Sequence, residues 1–247
     1  MDYPPQPAAR WLFGARLNSM IVASEIQAEP ETGIAARPRL RGWMHAVGFF
    51  VFLAIAPWLL LQAPTVGDAV ALSIYVVSIL GLFGVSALFH RVRWSENGRR
   101  RMRRLDHSMI FLAIAGSYTS VAWLVLSGTP RVLILLLVWV GGLAGVILRQ
   151  VWLDAPKWVI AIPYIVVGWS ALAVLAPLFH ALGGWGFAWL MAGGLSYTAG
   201  AIAYSAKRPN PVPGVFGYHE VFHLGTVLGA ACHLVVVIFF ALPIAKG

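Results

Sequence analysis

The chain has 247 residues, of which 60% are hydrophobic and only 11% charged, and its mean hydropathy is +0.78. A water-soluble domain of this size cannot bury so much apolar surface, so the composition excludes a soluble enzyme and indicates a polytopic membrane protein. The formal net charge is +9, but the arginines lie in short segments between apolar stretches, which favours a role in membrane topology over nucleic-acid binding. The single cysteine, Cys232, excludes an intramolecular disulfide and a cysteine-based zinc cluster.

The first 36 residues are rich in Pro, Ala, Glu and Arg and contain no long apolar run. We expect residues 1–36 to form a mostly disordered cytoplasmic tail, with one weak helix near Ala9–Val22. No cleavable signal peptide is evident, and the first apolar segment is full length, which is typical of a retained signal-anchor. Residues 37–247 are predicted to form a single all-α transmembrane domain.

Seven apolar segments are long enough to span a bilayer. They are Trp43–Gln62, Val66–Phe89, Ser108–Leu126, Val132–Leu148, Trp158–Phe179, Trp185–Ser205 and Tyr218–Pro243. The fourth contains Gly141, Gly142 and Gly145, which either interrupt the helix or allow close contact with a neighbouring one. The sequence therefore predicts a bundle of seven transmembrane helices.

The basic residues of the connecting segments predict the orientation of this bundle. Sixteen of the 18 lysines and arginines fall on one side of the seven predicted spans, and only Arg131 and Lys246 fall on the other. This asymmetry places the N-terminus in the cytoplasm and the C-terminus outside. Seven arginines lie in the predicted loop 91–104, where we expect contact with anionic lipid headgroups rather than nucleic acid.

Three polar motifs lie at the predicted cytoplasmic edge of the membrane, each at the end of an apolar segment. They are Ser86–His90, Leu105–Ser108 and His219–His223. Polar side chains are costly in lipid and persist there when they have a partner or a function. Their convergence on one edge predicts a functional site built from three separate helices.

The histidines of these motifs favour a zinc site. His219 and His223 are four residues apart, so a helix places them on one face, and His90 supplies a third imidazole. Zn²⁺ with three protein ligands keeps a fourth position for water, which is the catalytic arrangement. Asp106 is then the expected proton acceptor, and Ser86, one turn from His90, is expected to orient the water or stabilise an oxyanion.

The sequence His219-Glu220-Val221-Phe222-His223 also matches the zincin pattern H-E-x-x-H, in which the glutamate is the general base. Glu220 is therefore a secondary candidate base, and an intramembrane zinc protease is a rival function. That function requires a distant carboxylate ligand, which Asp106 would supply, and it leaves His90 unexplained. The other four histidines are expected to be packing residues. They are His45, which also lies near the cytoplasmic edge, and His107, His180 and His233.

At these residues the chain resembles the hemolysin III family, within the superfamily of progestin and adiponectin receptors. The resemblance covers roughly residues 37–243. Its motifs are Ser-Ala-Leu-Phe-His at 86–90, Arg-Leu-Asp-His-Ser at 104–108, Ile-Ala-Gly-Ser-Tyr-Thr at 114–119 and Phe-Gly-Tyr-His-Glu-Val-Phe-His at 216–223. The resemblance implies a seven-helix protein of the bacterial plasma membrane with zinc held by His90, His219 and His223. The superfamily's serine and aspartate correspond to Ser86 and Asp106.

The related receptors and alkaline ceramidases imply lipid-amide hydrolysis as an activity. The receptors carry Gln where this chain has Glu220, which favours Asp106 as the base. Two functions stay open at this point: a zinc-dependent hydrolase of a lipid amide or ester, and a non-enzymatic protein with structural zinc. The second would be a pore-forming cytolysin, as the family name implies for some members, or a lipid-responsive receptor. Zinc is the expected cofactor and a membrane lipid the expected substrate or ligand.

Overall fold

The structure is a computed structural model that describes residues 38–247. In that part of the chain it is all-α and contains no strand, which confirms the all-α prediction. The helices are α1 (Trp43–Leu61), α2 (Val66–Arg91), α3 (Glu96–Val125), α4 (Gly128–Val151), α5 (Lys157–Gly168), α6 (Leu175–Ala206), α7 (Tyr218–Val236) and α8 (Leu242–Lys246). The predicted tail, residues 1–36, and its weak helix Ala9–Val22 lie outside the described residues.

Six helical segments of the described chain are long and apolar enough to cross a membrane. They are Trp43–Leu61, Val66–Arg91, Glu96–Val125, Gly128–Val151, Ala161–Ala206 and Tyr218–Lys246. Their outer surfaces expose large apolar side chains such as Phe50 and Val77, which are 67% and 68% exposed. Water would not stabilise so large an apolar surface, whereas lipid does. The bundle is therefore built to lie in a membrane.

The segment Ala161–Ala206 is interrupted at two places. Helix α5 ends at Gly168, and a 3₁₀ turn, Ser170–Val174, divides the predicted fifth span. The Tyr118 hydroxyl donates to the Gly168 carbonyl at 2.6 Å and accepts from the Ala171 amide at 3.0 Å, so backbone groups at this break are satisfied inside the bundle. The second break is at Gly183, whose φ of 66° and ψ of 176° are not helical.

The arginine-rich stretch is mostly helical, and the prediction of a loop over residues 91–104 was wrong from Glu96 onward. Helix α3 begins there and continues without interruption to Val125. The Ser95 side chain accepts a hydrogen bond from the Gly98 amide at 3.3 Å, which caps the new helix. Arginine is also a good helix former, so α3 extends well beyond its apolar part.

The glycines of the fourth predicted span serve close packing and do not break the helix. Helix α4 is continuous from Gly128 to Val151. A side chain at Gly145 would overlap the Phe111 ring of α3, and a Cβ at Gly142 would lie 3.5 Å from the Phe111 carbonyl. Of the two alternatives that the sequence left open, the structure therefore supports close helix contact.

The packing order brings three helix ends together at one end of the bundle. Helix α2 packs extensively on both α1 and α3, and α6 packs on α7. Helix α1 also contacts α7. As a result, the last turn of α2 and the first turns of α1 and α7 meet, with the start of the apolar part of α3 beside them. The three polar motifs lie at this end.

Candidate metal centre

Three histidines from two helices converge at this end of the bundle. His90 comes from the last turn of α2, and His219 and His223 come from the first two turns of α7. One ring nitrogen of each lies within 4.8 Å of the others, and Nε2 of His219 is 3.3 Å from Nε2 of His90. The structure therefore brings together the three predicted ligands, whose arrangement is suited to holding one metal ion.

The donor set and its spacing fit zinc. Two nitrogens bound tetrahedrally to one Zn²⁺ at 2.0–2.1 Å would be about 3.4 Å apart, close to the His90–His219 separation of 3.3 Å. His223 is only 2% exposed, and its Nδ1 has no hydrogen-bond partner in the described chain. Buried ring nitrogens normally have a partner, and a set of imidazoles is a donor set that zinc favours.

Ser86 and Asp106 form a pair beside the histidines. Ser86 is 3% exposed and lies four residues before His90, on the same face of α2. Its hydroxyl lies close enough to the carboxyl group of Asp106 on α3 to interact with it. The pair thus links a carboxylate on the third helix to the helix that carries His90, which is the arrangement that a positioned proton acceptor requires.

Glu220 is engaged in structural contacts, although it lies between two of the histidines in sequence. It is 1% exposed and forms an ion pair with Arg41, from the turn before α1. Its other oxygen, Oε2, accepts the Gly217 amide at 2.9 Å and so caps the first turn of α7. Both carboxylate oxygens are therefore occupied, and Glu220 fixes the start of the helix that carries His219 and His223.

The chain around the start of α1 covers this end of the bundle, and we call residues 39–45 the N-terminal clasp. Backbone amides of Arg39 and Leu40 donate to the carbonyls of Gly214 and Val215, at 3.2 and 3.4 Å. The clasp is thereby attached to the loop that precedes α7. Together with the Arg41–Glu220 ion pair, these bonds join two parts of the chain that are far apart in sequence.

The clasp also contacts two of the three histidines. Gly42 has a φ of 80°, and a Cβ added there would lie 2.8 Å from the His90 Cβ, so no larger side chain fits. The His45 ring stacks on the His223 ring, with centroids 4.0 Å apart and planes inclined by 12°. His45 is 2% exposed, and neither ring nitrogen has a hydrogen-bond partner among the described residues.

The remaining histidines lie away from the metal centre. Nδ1 of His107 is 2.7 Å from the Arg103 carbonyl, and Nε2 of His233 is 3.3 Å from the Leu190 carbonyl. His180 is exposed near the break in α6. Of the four histidines expected to be packing residues, His45 is therefore the one that adjoins the site. In the sequence, the one indication of this contact was the position of His45 near the same predicted edge of the membrane.

A narrow apolar cavity of about 80 Å³ lies inside the bundle. Its lining includes Leu82, Ile110 and Phe222, which are one turn from Ser86, one turn from Asp106 and adjacent to His223. Farther along, His233 and Trp169 also line a second cavity of about 30 Å³. The lining of the first cavity thus lies one helical turn from Ser86 and Asp106, and neither lining contains any of the three clustered histidines.

Comparison with known proteins agrees with this architecture. A family described as haemolysin-III related matches residues 34–234. The chain is 30% identical over 205 residues to hemolysin-3 of Bacillus cereus, covering 82% of this chain and 90% of that protein. It is 28% identical over 203 residues to a hemolysin-3 homolog of Bacillus subtilis (strain 168), covering 81% of this chain and 92% of that protein. The family match includes all three histidines of the metal centre.

Proposed function

Because the chain belongs to the haemolysin-III-related family, as its motifs predict, and is an integral membrane protein, we propose that it is a zinc-dependent hydrolase of a lipid amide or ester. The observations that carry this proposal are the cluster of three imidazoles and the Ser86–Asp106 pair, whose serine lies one helical turn from His90. A purely structural site requires no proton acceptor beside the metal. The pair therefore favours catalysis over a structural role alone.

Each residue of the site has a distinct part in such a reaction. When bound, zinc supplies a Lewis acid that polarises a carbonyl and makes a water acidic near neutral pH. Asp106 accepts the proton of the attacking water and delivers it to the leaving amine or alcohol. The Ser86 hydroxyl interacts with the Asp106 carboxylate and holds it beside the helix that carries His90.

The apolar cavity favours a lipid as the substrate. Leu82 and Ile110 of its lining lie one helical turn from Ser86 and Asp106, and most of its lining side chains are apolar or aromatic. A narrow apolar channel suits an acyl chain, because burying each methylene is worth about 0.8 kcal/mol. An amide or ester bond at the head of that chain would then lie near the histidines.

A second candidate function is a non-enzymatic cytolysin or lipid-responsive receptor in which zinc only holds the helices together. His45 favours it, because its buried ring stacks on His223 and both of its nitrogens lack partners in the described chain. A fourth imidazole ligand would close the site, as in structural zinc centres. The intramembrane protease is less well supported, since both oxygens of Glu220 are engaged by Arg41 and Gly217.

The proposed activity is tested on the purified protein in detergent. Ceramides, N-acyl amides and lysophospholipids are offered in turn, and release of free fatty acid is measured. We expect hydrolysis of at least one class, its loss on chelation and its return on addition of zinc. His90→Ala should show neither activity nor rescue. Release of nothing from any class, while chelation still lowers the melting temperature, would favour the structural zinc.

We also propose that the chain crosses the membrane seven times, with the metal centre on the cytoplasmic side. The apolar segment Ala161–Ala206 has 46 residues, and a straight helix of that length would be about 69 Å long, more than twice the ~30 Å hydrocarbon core. The breaks near Gly168 and Gly183 allow it to cross twice. Sixteen of the 18 basic residues then lie on the side of the histidines.

Topology reporters provide the corresponding prediction. Fusions after Arg104 and after Lys207 should report a cytoplasmic location, and fusions after Gly128 and at Gly247 should report an external one. The reason is the strong preference of lysine and arginine for the cytoplasmic side. A cytoplasmic reporter at Gly247 would show that Ala161–Ala206 does not cross twice. That result would require a different orientation for the start of α7.

A further inference from the structure

The seven arginines between residues 91 and 104 differ in what they contact. Three of them have partners within the protein. These contacts are Arg91 over the Trp43 ring at 3.7 Å, Arg99 over the Phe89 ring at 5.4 Å, and Arg103 paired with Asp154. Their guanidinium groups are thus partly committed to internal contacts. Helix α3 carries three further arginines with a different arrangement.

Arg100, Arg101 and Arg104 share one face of α3 with Asn97, because their spacing follows the helical repeat. The four side chains line an open depression of about 410 Å³, which we call the arginine groove. None of the three arginines has an ion-pair partner among residues 38–247, and the Nε of Arg104 is buried without a hydrogen-bond partner there. A buried donor normally has a hydrogen-bond partner, and a water molecule or a bound anion can supply one.

The position of the arginine groove along α3 suits contact with lipid headgroups. Helix α3 runs straight from Glu96 into its apolar part, which begins just after Arg104. Arg100 is one turn farther out, about 6 Å along the axis at 1.5 Å per residue. The headgroup region is several ångströms thick on each side of the hydrocarbon core. The three guanidinium groups are therefore in a position to reach lipid phosphates.

We propose that the arginine groove is a binding site for the phosphate of an anionic glycerophospholipid. Guanidinium groups bind phosphate oxygens through paired N–H donors, and three of them line this groove, whose lining contains no acidic side chain. A zwitterionic headgroup places an ammonium group beside the phosphate, which these arginines would repel. The Asn97 amide adds a polar group that a glycerol hydroxyl can contact. This site is separate from the histidines and does not depend on zinc.

Lipid titration tests the arginine groove directly. The full-length protein, stripped of lipid in a neutral detergent, is titrated with phosphatidylglycerol, and bound lipid is counted by native mass spectrometry. Each hydrogen bond between a guanidinium group and a phosphate contributes about tenfold or more to binding, so the triple variant R100Q/R101Q/R104Q should bind at least about a hundredfold more weakly. The triple variant R100K/R101K/R104K keeps the charge and fold but loses the paired donors. It should bind about tenfold more weakly, and tight binding by this variant would overturn the proposal.

A charge-matched control tests whether lipid binding requires the arginine groove or only the positive charge of this region. The variant R91Q/R93Q/R99Q removes three other charges from the same region, and we expect less than a tenfold change in lipid binding. Equal losses in the two glutamine variants would overturn the proposal. So would equally tight binding of phosphatidylcholine by the wild-type protein. Displacement of the lipid by an equal concentration of glycerol 1-phosphate would also overturn it, because the groove would then recognise a soluble phosphate.

Discussion

Replacing His219 and His223 together by alanine should leave the purified protein with almost no zinc, whereas the wild-type protein should hold about one ion per chain. These residues supply two of the three clustered imidazoles. Loss of a residue that only supports a metal ligand already weakens binding about 10–100-fold, so loss of a ligand should exceed that range. Zinc is measured by elemental analysis after gel filtration, and X-ray absorption should give Zn–N distances of about 2.0–2.1 Å.

The matched control for this experiment lies on the same helix. His233→Ala makes the same chemical change ten residues along α7, where the ring faces the Leu190 carbonyl, and it should retain the metal. His45→Ala should also retain it if the site is open. Loss of zinc from the His45 variant would support the closed, structural centre. Full retention of zinc by the double variant at 219 and 223 would exclude the proposed metal site.

The meeting of the three motifs was predictable because it depends on two regular patterns. Hydropathy fixes where each apolar segment ends, and the helical repeat fixes which residues share a face. His90 and His219 are 129 residues apart in sequence. Their motifs nevertheless occupy ends of segments that alternate in direction, so topology alone places them on one side of the bundle. The structure places their ring nitrogens 3.3 Å apart.

The N-terminal clasp could not be predicted in the same way. The Arg41–Glu220 ion pair joins residues 179 apart, and the stacking of His45 on His223 depends on how α1 is rotated against α7. Neither the hydropathy profile nor the helical periodicity of the sequence specifies that rotation of α1. Because α1 is apolar around much of its circumference, its sequence shows little preference for one face. The one available sign was the position of both residues near the same predicted edge.

The helical start of α3 was missed for a different reason. Charged residues exclude a stretch from the hydrocarbon core, and exclusion from the core was equated with a loop. Yet Ser95 followed by Glu96 is a recognisable N-terminal signal, and the structure uses Ser95 as a cap. Local capping chemistry therefore carried information that the hydropathy profile did not. The capping signal, unlike the hydropathy profile, indicates that the arginines of the groove lie on an ordered helix rather than in a charged loop.

Asp106→Asn should lose about 10²–10⁴-fold in hydrolysis while keeping both zinc and the fold. The amide has nearly the same shape as the carboxylate, but it cannot take up a proton near neutral pH. Ser86→Ala should cost about tenfold or less, since it removes a single interaction with that carboxylate. Turnover is measured as fatty acid released per zinc-loaded protein. Unchanged turnover in Asp106→Asn would show that another group is the base.

Glu220 is the other residue able to act as the general base. Variants of its ion pair with Arg41 test whether it does. If Glu220 only positions α7, Arg41→Met and Glu220→Gln should have similar turnover, because both break the same ion pair. Arg41→Met leaves a carboxylate buried without its partner, which destabilises a protein by about 3–5 kcal/mol. Glu220→Gln should cost less stability, since the Arg41 side chain is 17% exposed and reaches water.

Both variants should turn over within about tenfold of wild type once loaded with zinc, and both should melt at lower temperature. If Glu220→Gln abolishes turnover while Arg41→Met and Asp106→Asn do not, Glu220 is the base, and the zinc protease becomes the better account of this site.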